Sequence, residues 1–384
     1  MPPTNDSQSE HQTPRYIFRV LIKAGILFFL VNIFFVVSNP LPALGSLSFY
    51  NILFPGRLRL PYGDNPSLAY NLTLSNLAAM FASHEISSGP KPPNEYRVLM
   101  IGDSATWGYL QSPEEAVAAQ LNQMGLTLPD GRLVKVYNLG YPAMSLMKDL
   151  LILSQAVAYD PDLIIWPFTL ESFPYDKQLY SPVIQDNQEL VAALIRDHRL
   201  SLDPLDPAFD KKGWFDRTVI GRRRDLADLI RLQIYGVLLA ATGIDQELPQ
   251  DYPAVSQDLS ADTDFHNLSP PHLTETDLAM EIIQAGMDIA GDIPVLLVNE
   301  PIYIARGENS DVRYNFYYPQ WAYDDFRLIM SEAALQNDWL YQDVWDLIPP
   351  SEFTNTAVHL SPAGAKMFAE DLATSIIQVA DQAK

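Results

Sequence analysis

Five short runs of mostly apolar residues recur along the chain, separated by segments long enough to form helices. Each run is almost continuously apolar rather than alternating, which is typical of a parallel strand buried on both faces. The runs are Arg97 to Ile101, Leu133 to Asn138, Asp162 to Phe168, Pro294 to Asn299 and Trp339 to Asp343. Alternation of such strands with helices predicts an α/β fold, with a parallel sheet covered by helices on both faces.

Small or polar residues follow the carboxyl ends of these predicted strands: Ser104, Gly140, Thr169, Glu171 and Glu300. Ligands of parallel sheets bind beyond that edge of the sheet. We therefore expect these positions to surround a functional site. For Glu300, the simpler interpretation is a strand-end carboxylate that meets an ordinary loop.

The longest apolar run lies near the N-terminus, from Val20 to Val37. As an α-helix it reaches about 27 Å, close to the thickness of the hydrocarbon core of a bilayer. The basic residues on its N-terminal side are Arg15, Arg19 and Lys23. The positive-inside bias predicts a cytoplasmic tail at 1–14, a single-pass plasma-membrane anchor at 15–38 and an extracytoplasmic remainder. A signal peptide cleaved after Ala43-Leu44-Gly45 is the alternative interpretation.

The remaining chain divides into a connector at 39–94 and an α/β domain at 95–384, with an insertion at about 175–290. The interval between the third and fourth predicted strands is far longer than a parallel crossover requires. Within it, Leu226 to Ala241 is strongly apolar and predicts a helix buried as a cap, or one that rests on a membrane or partner. Asp245 to Pro271 is rich in Asp, Pro and Ser, which predicts a surface loop.

Composition narrows the class of function. The 384 residues include no cysteine, which rules out disulfides, a lipobox and thiolate metal sites. The formal net charge of -22 argues against nucleic acid as a partner, since binding to DNA or RNA needs clustered Lys and Arg. The sequence has no glycine-rich phosphate loop and no histidine-rich cluster, so we assign no cofactor and no metal.

Gly102-Asp103-Ser104 directly follows the first predicted strand. Such a turn lifts a serine hydroxyl above the carboxyl edge of the sheet, beside the free N–H groups that open a helix. A serine nucleophile needs a base, and His359, just before the amphipathic stretch Lys366 to Ile377, is the candidate. The other histidines are expected to be solvated: His11, His84, His198, His266 and His272.

Over roughly residues 95–384, the chain resembles the SGNH hydrolases, also called the GDSL family. Gly102-Asp103-Ser104 matches the first sequence block of that family and Asn138-Leu139-Gly140 matches the second. The last block matches His359-Leu360-Ser361-Pro362-Ala363-Gly364. The resemblance implies a three-layer, flavodoxin-like α/β fold.

The resemblance also implies roles for individual residues. Ser104 would attack an ester to form an acyl-enzyme, and His359 would take the serine proton and deliver it to the leaving group. The backbone amides of Ser104 and Gly140 would bind the oxyanion. The candidates for lining the pocket or orienting the histidine are Asp103, Thr169, Glu171, Glu300, Asn355 and Thr356.

Two positions depart from the family pattern. Where the family has an asparagine after its third strand, this chain has Glu171. An ionised carboxylate only accepts hydrogen bonds, so it would disfavour an oxyanion unless a cation neutralises it; the alternative is that it turns away and caps the next segment. Where the family has an aspartate three residues before the histidine, this chain has Thr356. We expect Asn355, Thr356 or a backbone carbonyl to orient the imidazole instead.

The sequence thus favours a membrane-anchored, outward-facing serine esterase or O-acyltransferase that acts on acylated envelope glycan or a small ester. Some anchored members of the family work beside a membrane-bound acyltransferase, so such a partner is expected as well. Two alternatives stay open. One is a catalytically degenerate SGNH-fold scaffold or binding subunit of a membrane complex, suggested by Glu171 and the missing aspartate. The other is a lipase or thioesterase, suggested by the apolar stretch at 226–241.

Overall fold

The computed structural model describes residues 14–47, 56–62, 75–207, 209, 213–242 and 252–382. Within them one parallel sheet is formed by β1 (Glu95–Met100), β2 (Leu133–Asn138), β3 (Leu163–Phe168), β4 (Val295–Asn299) and β5 (Leu340–Asp343). The strand order is β2-β1-β3-β4-β5, and all neighbours pair in parallel. The predicted parallel α/β fold is confirmed, and each predicted strand begins and ends within two residues of the observed one.

The α-helices of the described residues are α1 (Pro14–Ser38), α2 (Leu41–Gly45), α3 (Leu77–Ser83), α4 (Ser104–Trp107), α5 (Val117–Gln123), α6 (Leu146–Ala156), α7 (Pro182–Asp186), α8 (Gln188–Asp197), α9 (Arg223–Thr242), α10 (Met280–Ala290), α11 (Gln320–Asn337) and α12 (Pro362–Gln382). Successive strand residues point to opposite faces of the sheet and so enter two different cores. Leu99 of β1 packs in the core that includes α6, α10 and α11, whereas Val98 and Met100 pack with α5 and α12. The sheet is therefore the middle of three layers, as predicted.

Helix α1 coincides with the predicted anchor. Among the described residues it is the one helix long and apolar enough to cross a membrane, over Tyr16–Ser38. Most of its large side chains are exposed, including Phe29 and Leu30. Length and composition of this kind belong to a membrane span or to a signal sequence. The predicted cytoplasmic tail, apart from Pro14, lies outside the described residues.

Part of the predicted connector packs against the α/β domain. Arg57 and Arg59 form isolated parallel bridges with His84 and with Asn138 at the end of β2. The buried guanidinium of Arg59 lies 3.5 Å from the centroid of the Trp107 ring. Its Nη1 donates to the carbonyls of Gly108 and Gln111 at 2.9 and 3.1 Å. These carbonyls belong to the segment just after Ser104, so Arg59 supports the loop that carries the predicted nucleophile.

The insertion between β3 and β4 contains α8 (Gln188–Asp197). The last helix of this interval, α10, returns to the sheet, where a Cβ at Gly286 would overlap the ring of Trp166. The apolar stretch at 226–241 forms most of α9, whose Leu229 and Leu232 are buried. The opposite face of α9 exposes large apolar side chains. The prediction that this helix is buried as a cap is therefore wrong for that face. Residues 245–251 of the predicted loop lie outside the described part of the chain.

Candidate active site

The turn after β1 presents Ser104 at the carboxyl edge of the sheet. Gly102 has φ of +149°, and a Cβ there would overlap Thr106 Oγ1, so the turn requires glycine. Asp103 is the N-cap of α4, and its Oδ1 accepts from the Ala105 amide at 2.8 Å. Ser104 is consequently the first residue of α4. Its N–H has no acceptor within the helix because of that position.

The structure brings Ser104 and His359 together across 255 residues of sequence: Nε2 of His359 lies 2.8 Å from Ser104 Oγ. On the other side of the ring, Nδ1 lies 2.8 Å from Asn355 Oδ1. An amide oxygen can only accept, so Nδ1 carries the proton and Nε2 is left to accept from the serine hydroxyl. Ser104, His359 and Asn355 thus form a chain of hydrogen bonds with the polarity that a nucleophile and its base require.

The imidazole of His359 is well shielded from water. Tyr109 stacks on it, with ring centroids 4.6 Å apart and an interplanar angle of 27°. Burial lowers the pKa of His359 to about 4, so the ring is neutral at pH 7 and free to accept a proton. Nε2 of Gln111 donates to the Leu360 carbonyl at 2.8 Å. This bond joins the segment after the serine to the segment that carries the base.

Thr356 occupies the family aspartate position, but it does not contact the imidazole. Its Oγ1 accepts from the backbone amides of Val358 and His359 at 3.3 and 3.2 Å. Thr354 adds a further restraint, since its amide donates to the His359 carbonyl at 2.8 Å. Of the two side chains that the sequence suggested for orienting the histidine, Asn355 makes that contact and Thr356 shapes the turn.

The two amides assigned to the oxyanion differ in their surroundings. The Ser104 N–H lies in the first turn of α4, where backbone N–H groups suit an anion. The Gly140 N–H donates to Asn138 Oδ1 at 3.0 Å, so an oxyanion could use it only by sharing or replacing that bond. Gly140 also packs tightly, because a Cβ there would lie 2.6 Å from the Trp107 amide nitrogen. The role of Gly140 as a donor therefore stays a prediction.

Glu171 is buried after β3, where Lys177 and His266 contact its two carboxylate oxygens. Its Oε1 lies 2.6 Å from Lys177 Nζ, and its Oε2 lies 3.2 Å from His266 Nε2. The bond to Glu171 is also the main reason that the pKa of His266 is raised. Asp176 Oδ2 contacts the other ring nitrogen at 3.0 Å. The carboxylate that the sequence placed near the oxyanion is thus paired with a lysine and lies within hydrogen-bond distance of a histidine.

Neighbouring Thr169 is fully buried, and its Oγ1 is paired with the Tyr318 hydroxyl at 2.5 Å. The Thr169 side chain therefore packs at the end of β3, and its hydroxyl is already paired.

Ionisable groups are buried in contact with the nucleophile turn. Lys148 Nζ, at 0% exposure, donates to the Gly102 carbonyl and pairs with Asp149. Burial, opposed by the charge of Lys148, raises the pKa of Asp103 to about 6. Burial, with the charges of Asp103 and Asp149, holds the pKa of Glu300 well above its usual range. Glu300 therefore belongs to this buried cluster, and its Oε1 has no hydrogen-bond partner among the described residues.

Aromatic side chains flank the same region. Burial, together with the charges of Glu171 and Asp103, raises the pKa of Tyr317 to about 12. Burial, opposed by the charge of Lys177 but aided by the same two carboxylates, also raises the pKa of Tyr180, which is half exposed. The Phe316 ring is tilted against the Tyr317 ring, with centroids 4.2 Å apart, and Phe316 is partly exposed. The site therefore offers aromatic surface as well as charge.

Several contributing residues were missed by the sequence interpretation. His84 and His266 were expected to be solvated, and this is wrong: His84 is fully buried between the Ile86 amide and the Asn138 carbonyl, and burial lowers its pKa to about 3. His198 is also partly covered, beside Asp288, whereas His272 is exposed as expected.

Lys148 was missed although the sequence carries a signal for it, because it is the one cation in the apolar run of α6.

No protein-family model matches the chain, and no curated protein matches it. Solved structures do match. A G-D-S-L family protein from Desulfitobacterium hafniense is 14% identical with a TM-score of 0.34, over 73% of this chain and 98% of that chain. A carbohydrate acetylesterase from Sinorhizobium meliloti is 13% identical with a TM-score of 0.33, over 74% and 99%. The aryl esterase of M. smegmatis is 14% identical with a TM-score of 0.32, over 73% and 97%.

The first of these descriptions names the family that the sequence motifs resemble, and the other two name esterases. Likenesses of this size carry no functional weight, and the fold and the site stand on the geometry of this chain alone.

Proposed function

We propose that this protein is an SGNH-type serine esterase or O-acyltransferase, held at the outer face of the plasma membrane by α1, that acts on acylated envelope glycan or related small esters. The proposal rests on the chain of hydrogen bonds from Ser104 Oγ through His359 to Asn355, with both contacts at 2.8 Å. It combines a nucleophile at a helix N-terminus with a base that is neutral at pH 7 and fixed in one tautomer.

In the first half-reaction, Ser104 Oγ bonds to the ester carbonyl carbon while its proton moves to Nε2 of His359. The carbonyl electron pair becomes an oxyanion, stabilised by the Ser104 N–H and, once released from Asn138, by the Gly140 N–H. Collapse of this intermediate breaks the bond to the leaving alkoxide, which takes the proton from Nε2. An acyl-enzyme and a free alcohol result, with atoms and charge balanced.

In the second half-reaction, an acceptor hydroxyl attacks the acyl-enzyme and gives its proton to Nε2. Ser104 Oγ leaves and recovers that proton. If the acceptor is water the outcome is hydrolysis, whereas a sugar hydroxyl gives acyl transfer. Both outcomes use the same residues, so they differ only in which acceptor the site binds.

Two features support a glycan as substrate. Tyr180, Phe316 and Tyr317 provide aromatic faces, against which the C–H bonds of a sugar ring pack favourably. Glu171, with its partners Lys177 and His266, adds charged hydrogen-bonding groups that suit sugar hydroxyls. Together these groups favour a polar, ring-shaped substrate over a long acyl chain.

Labelling of the full chain in detergent with a fluorophosphonate probe tests the esterase proposal. We expect labelling of the wild type and its loss in Ser104→Ala and in His359→Ala. Matched controls are Ser331→Ala on α11, whose hydroxyl donates only to the backbone of Arg327, and His272→Ala, which is 78% exposed. Both controls should label like the wild type. A folded wild type that does not label would contradict the proposal.

If the wild type reacts with the probe, a second assay on protein not treated with the probe distinguishes a hydrolase from a transferase. Release of acetate from an acetyl ester is compared with and without an added glycan acceptor, and the glycan is analysed for acetyl groups. Acetylated glycan identifies a transferase, whereas free acetate alone identifies a hydrolase.

One observation favours a scaffold as the second candidate. Glu171 replaces the expected amide donor, and the Gly140 amide is already bonded to Asn138. If the protein is a scaffold, cells that carry Ser104→Ala should behave like the wild type. If it is an esterase, they should behave like cells that lack the protein.

A further inference from the structure

The turn that precedes α9 contacts α1 within the apolar length of α1. The amide of Val219 donates to Asn32 Oδ1 at 3.1 Å, and Asn32 is 5% exposed. Asn32 lies about 9 Å before the end of α1 at Ser38, given the rise of an α-helix. The remainder of α1 near this contact, at Ile33 and Phe35, is partly covered. A segment of the insertion is therefore fixed beside the part of α1 that would lie in a bilayer.

A second contact fixes α9 itself. Nε2 of Gln233 donates to the Leu47 carbonyl at 2.9 Å, and α9 packs against α2, which directly follows α1. Two hydrogen bonds at separate points thus hold the turn and the helix close to the membrane-proximal end of the chain.

The face of α9 opposite its buried side is apolar. Ile230, Ile234 and Leu238 recur every four residues, which places them on one face of the helix, and they are 56%, 60% and 59% exposed. Leu229 and Leu232 face the protein instead. We call the three exposed residues the apolar stripe. A water-facing stripe of large aliphatic side chains marks a surface that contacts another apolar phase.

The turn before α9 adds residues that are typical of a membrane interface. Trp214 and Phe215 are each 57% exposed, and Ile220 is 41% exposed. Basic residues are concentrated here, with five arginines against two aspartates between Arg217 and Arg231, although the whole chain carries a formal charge of -22. Amphipathic surface helices combine such aromatic and basic residues, and an anionic membrane surface attracts the basic ones.

From these observations we infer that α9 and the turn at 213–222 rest in the head-group region of the bilayer that holds α1, with the apolar stripe inserted among the acyl chains and the arginines close to lipid phosphates. The depth fits, because interfacial helices bury their apolar face about 5–10 Å below the head groups and Val219 contacts α1 about 9 Å before its end. The inference rests on the anchoring role of α1 in the proposed function, but not on the esterase chemistry.

The absence of cysteine from the chain allows a direct test. Single cysteines are introduced into the full chain by Ile234→Cys in the apolar stripe, Phe34→Cys on the exposed face of α1 and Leu335→Cys on α11. Position 335 is the matched control, because its leucine is also exposed on a helix, at 86%, but on the α/β domain. Each variant carries an environment-sensitive fluorophore and is placed in nanodiscs of phosphatidylcholine and phosphatidylglycerol. Quenching is measured with lipids that bear a nitroxide near the head group.

We expect a blue shift and loss of most emission at positions 34 and 234, with neither change at 335. Quenching at 34 without quenching at 234 overturns the inference while the anchor stands; a protein partner would then be the better occupant of the stripe. Absence of quenching at both positions removes the anchor and the inference together. Fluorophosphonate labelling of the same samples reports the esterase proposal separately, so its failure is distinguishable from either result.

Discussion

The side-chain oxygen of Asn355 lies 2.8 Å from Nδ1 of His359, so a neutral amide takes the position that a carboxylate occupies in a Ser-His-Asp triad. The amide fixes the tautomer as a carboxylate would. It supplies no negative charge for the imidazolium that forms when the serine proton moves to Nε2. The buried ring therefore favours its neutral form, in agreement with the lowered pKa of His359.

Asn355→Asp should place a negative charge at that contact. A charged acceptor stabilises the imidazolium more than an amide does, by about 1 kcal/mol, which corresponds to a gain of roughly fivefold in kcat/KM at neutral pH. The pKa of His359 should rise at the same time. Hydrolysis of p-nitrophenyl acetate across pH measures both effects.

Asn355→Ala is the matched control for this substitution. It removes the acceptor of the Nδ1 proton and should lower kcat/KM, by about tenfold or more, since the buried N–H loses its partner. Equal activity of all three proteins would show that Asn355 does not act on the imidazole.

In the wild type, kcat/KM should begin to fall only at an unusually low pH. Protonated His359 cannot accept from Ser104, so kcat/KM should rise with pH through about 4 and stay level through neutrality. Circular dichroism must accompany the assay. The unfolded chain binds protons on His84 and His359 near pH 6.5, whereas the folded chain binds them only near 3 and 4, so stability falls as pH decreases through that window. An acid limb near 6.5 in folded protein would contradict the buried geometry.

Gly140→Ala should abolish most activity. The new Cβ would lie 2.6 Å from the Trp107 amide nitrogen and 2.8 Å from Thr106 Cγ2, both in the helix that begins with Ser104. Displacement of that helix moves the nucleophile and the oxyanion donors, and loss of one such donor costs about a hundredfold or more. Gly89→Ala is the control, because nothing lies within 4 Å of its added Cβ. Similar kinetics for the two variants would contradict the tight contact.

Glu171→Gln should lower the pKa of His266 toward the ordinary value for histidine. The raised pKa arises mainly from the bond to Glu171, which a neutral amide cannot replace in charge. Titration by NMR of the histidine side-chain carbons follows the shift, with His272 as an exposed internal reference. An unchanged pKa would mean that Asp176 alone holds the proton on His266.

The sheet was predictable because its strands are buried on both faces, which leaves almost continuous apolar runs in the sequence. The contact between Ser104 and His359 was predictable because a Gly-Asp-Ser turn after a strand and a histidine before a helix are local signals in the sequence. Asn355 could not be chosen over Thr356 from spacing, since the choice depends on how Thr356 folds back onto the His359 amide. Arg59 gave no signal either, because its contact with Trp107 exists only after the chain has folded.

Lys148 tests how the buried charges support the nucleophile turn. Lys148→Met removes the donor to the Gly102 carbonyl and leaves Asp149 without its cation, which typically costs about 3–5 kcal/mol of the free energy of unfolding. Lys148→Met combined with Asp149→Asn removes both charges and keeps an acceptor for Trp166 Nε1. Denaturant unfolding should then show that the double variant recovers a large part of the loss. Strictly additive effects would mean that the two side chains act independently, and that the lysine is retained for its bond to Gly102 alone.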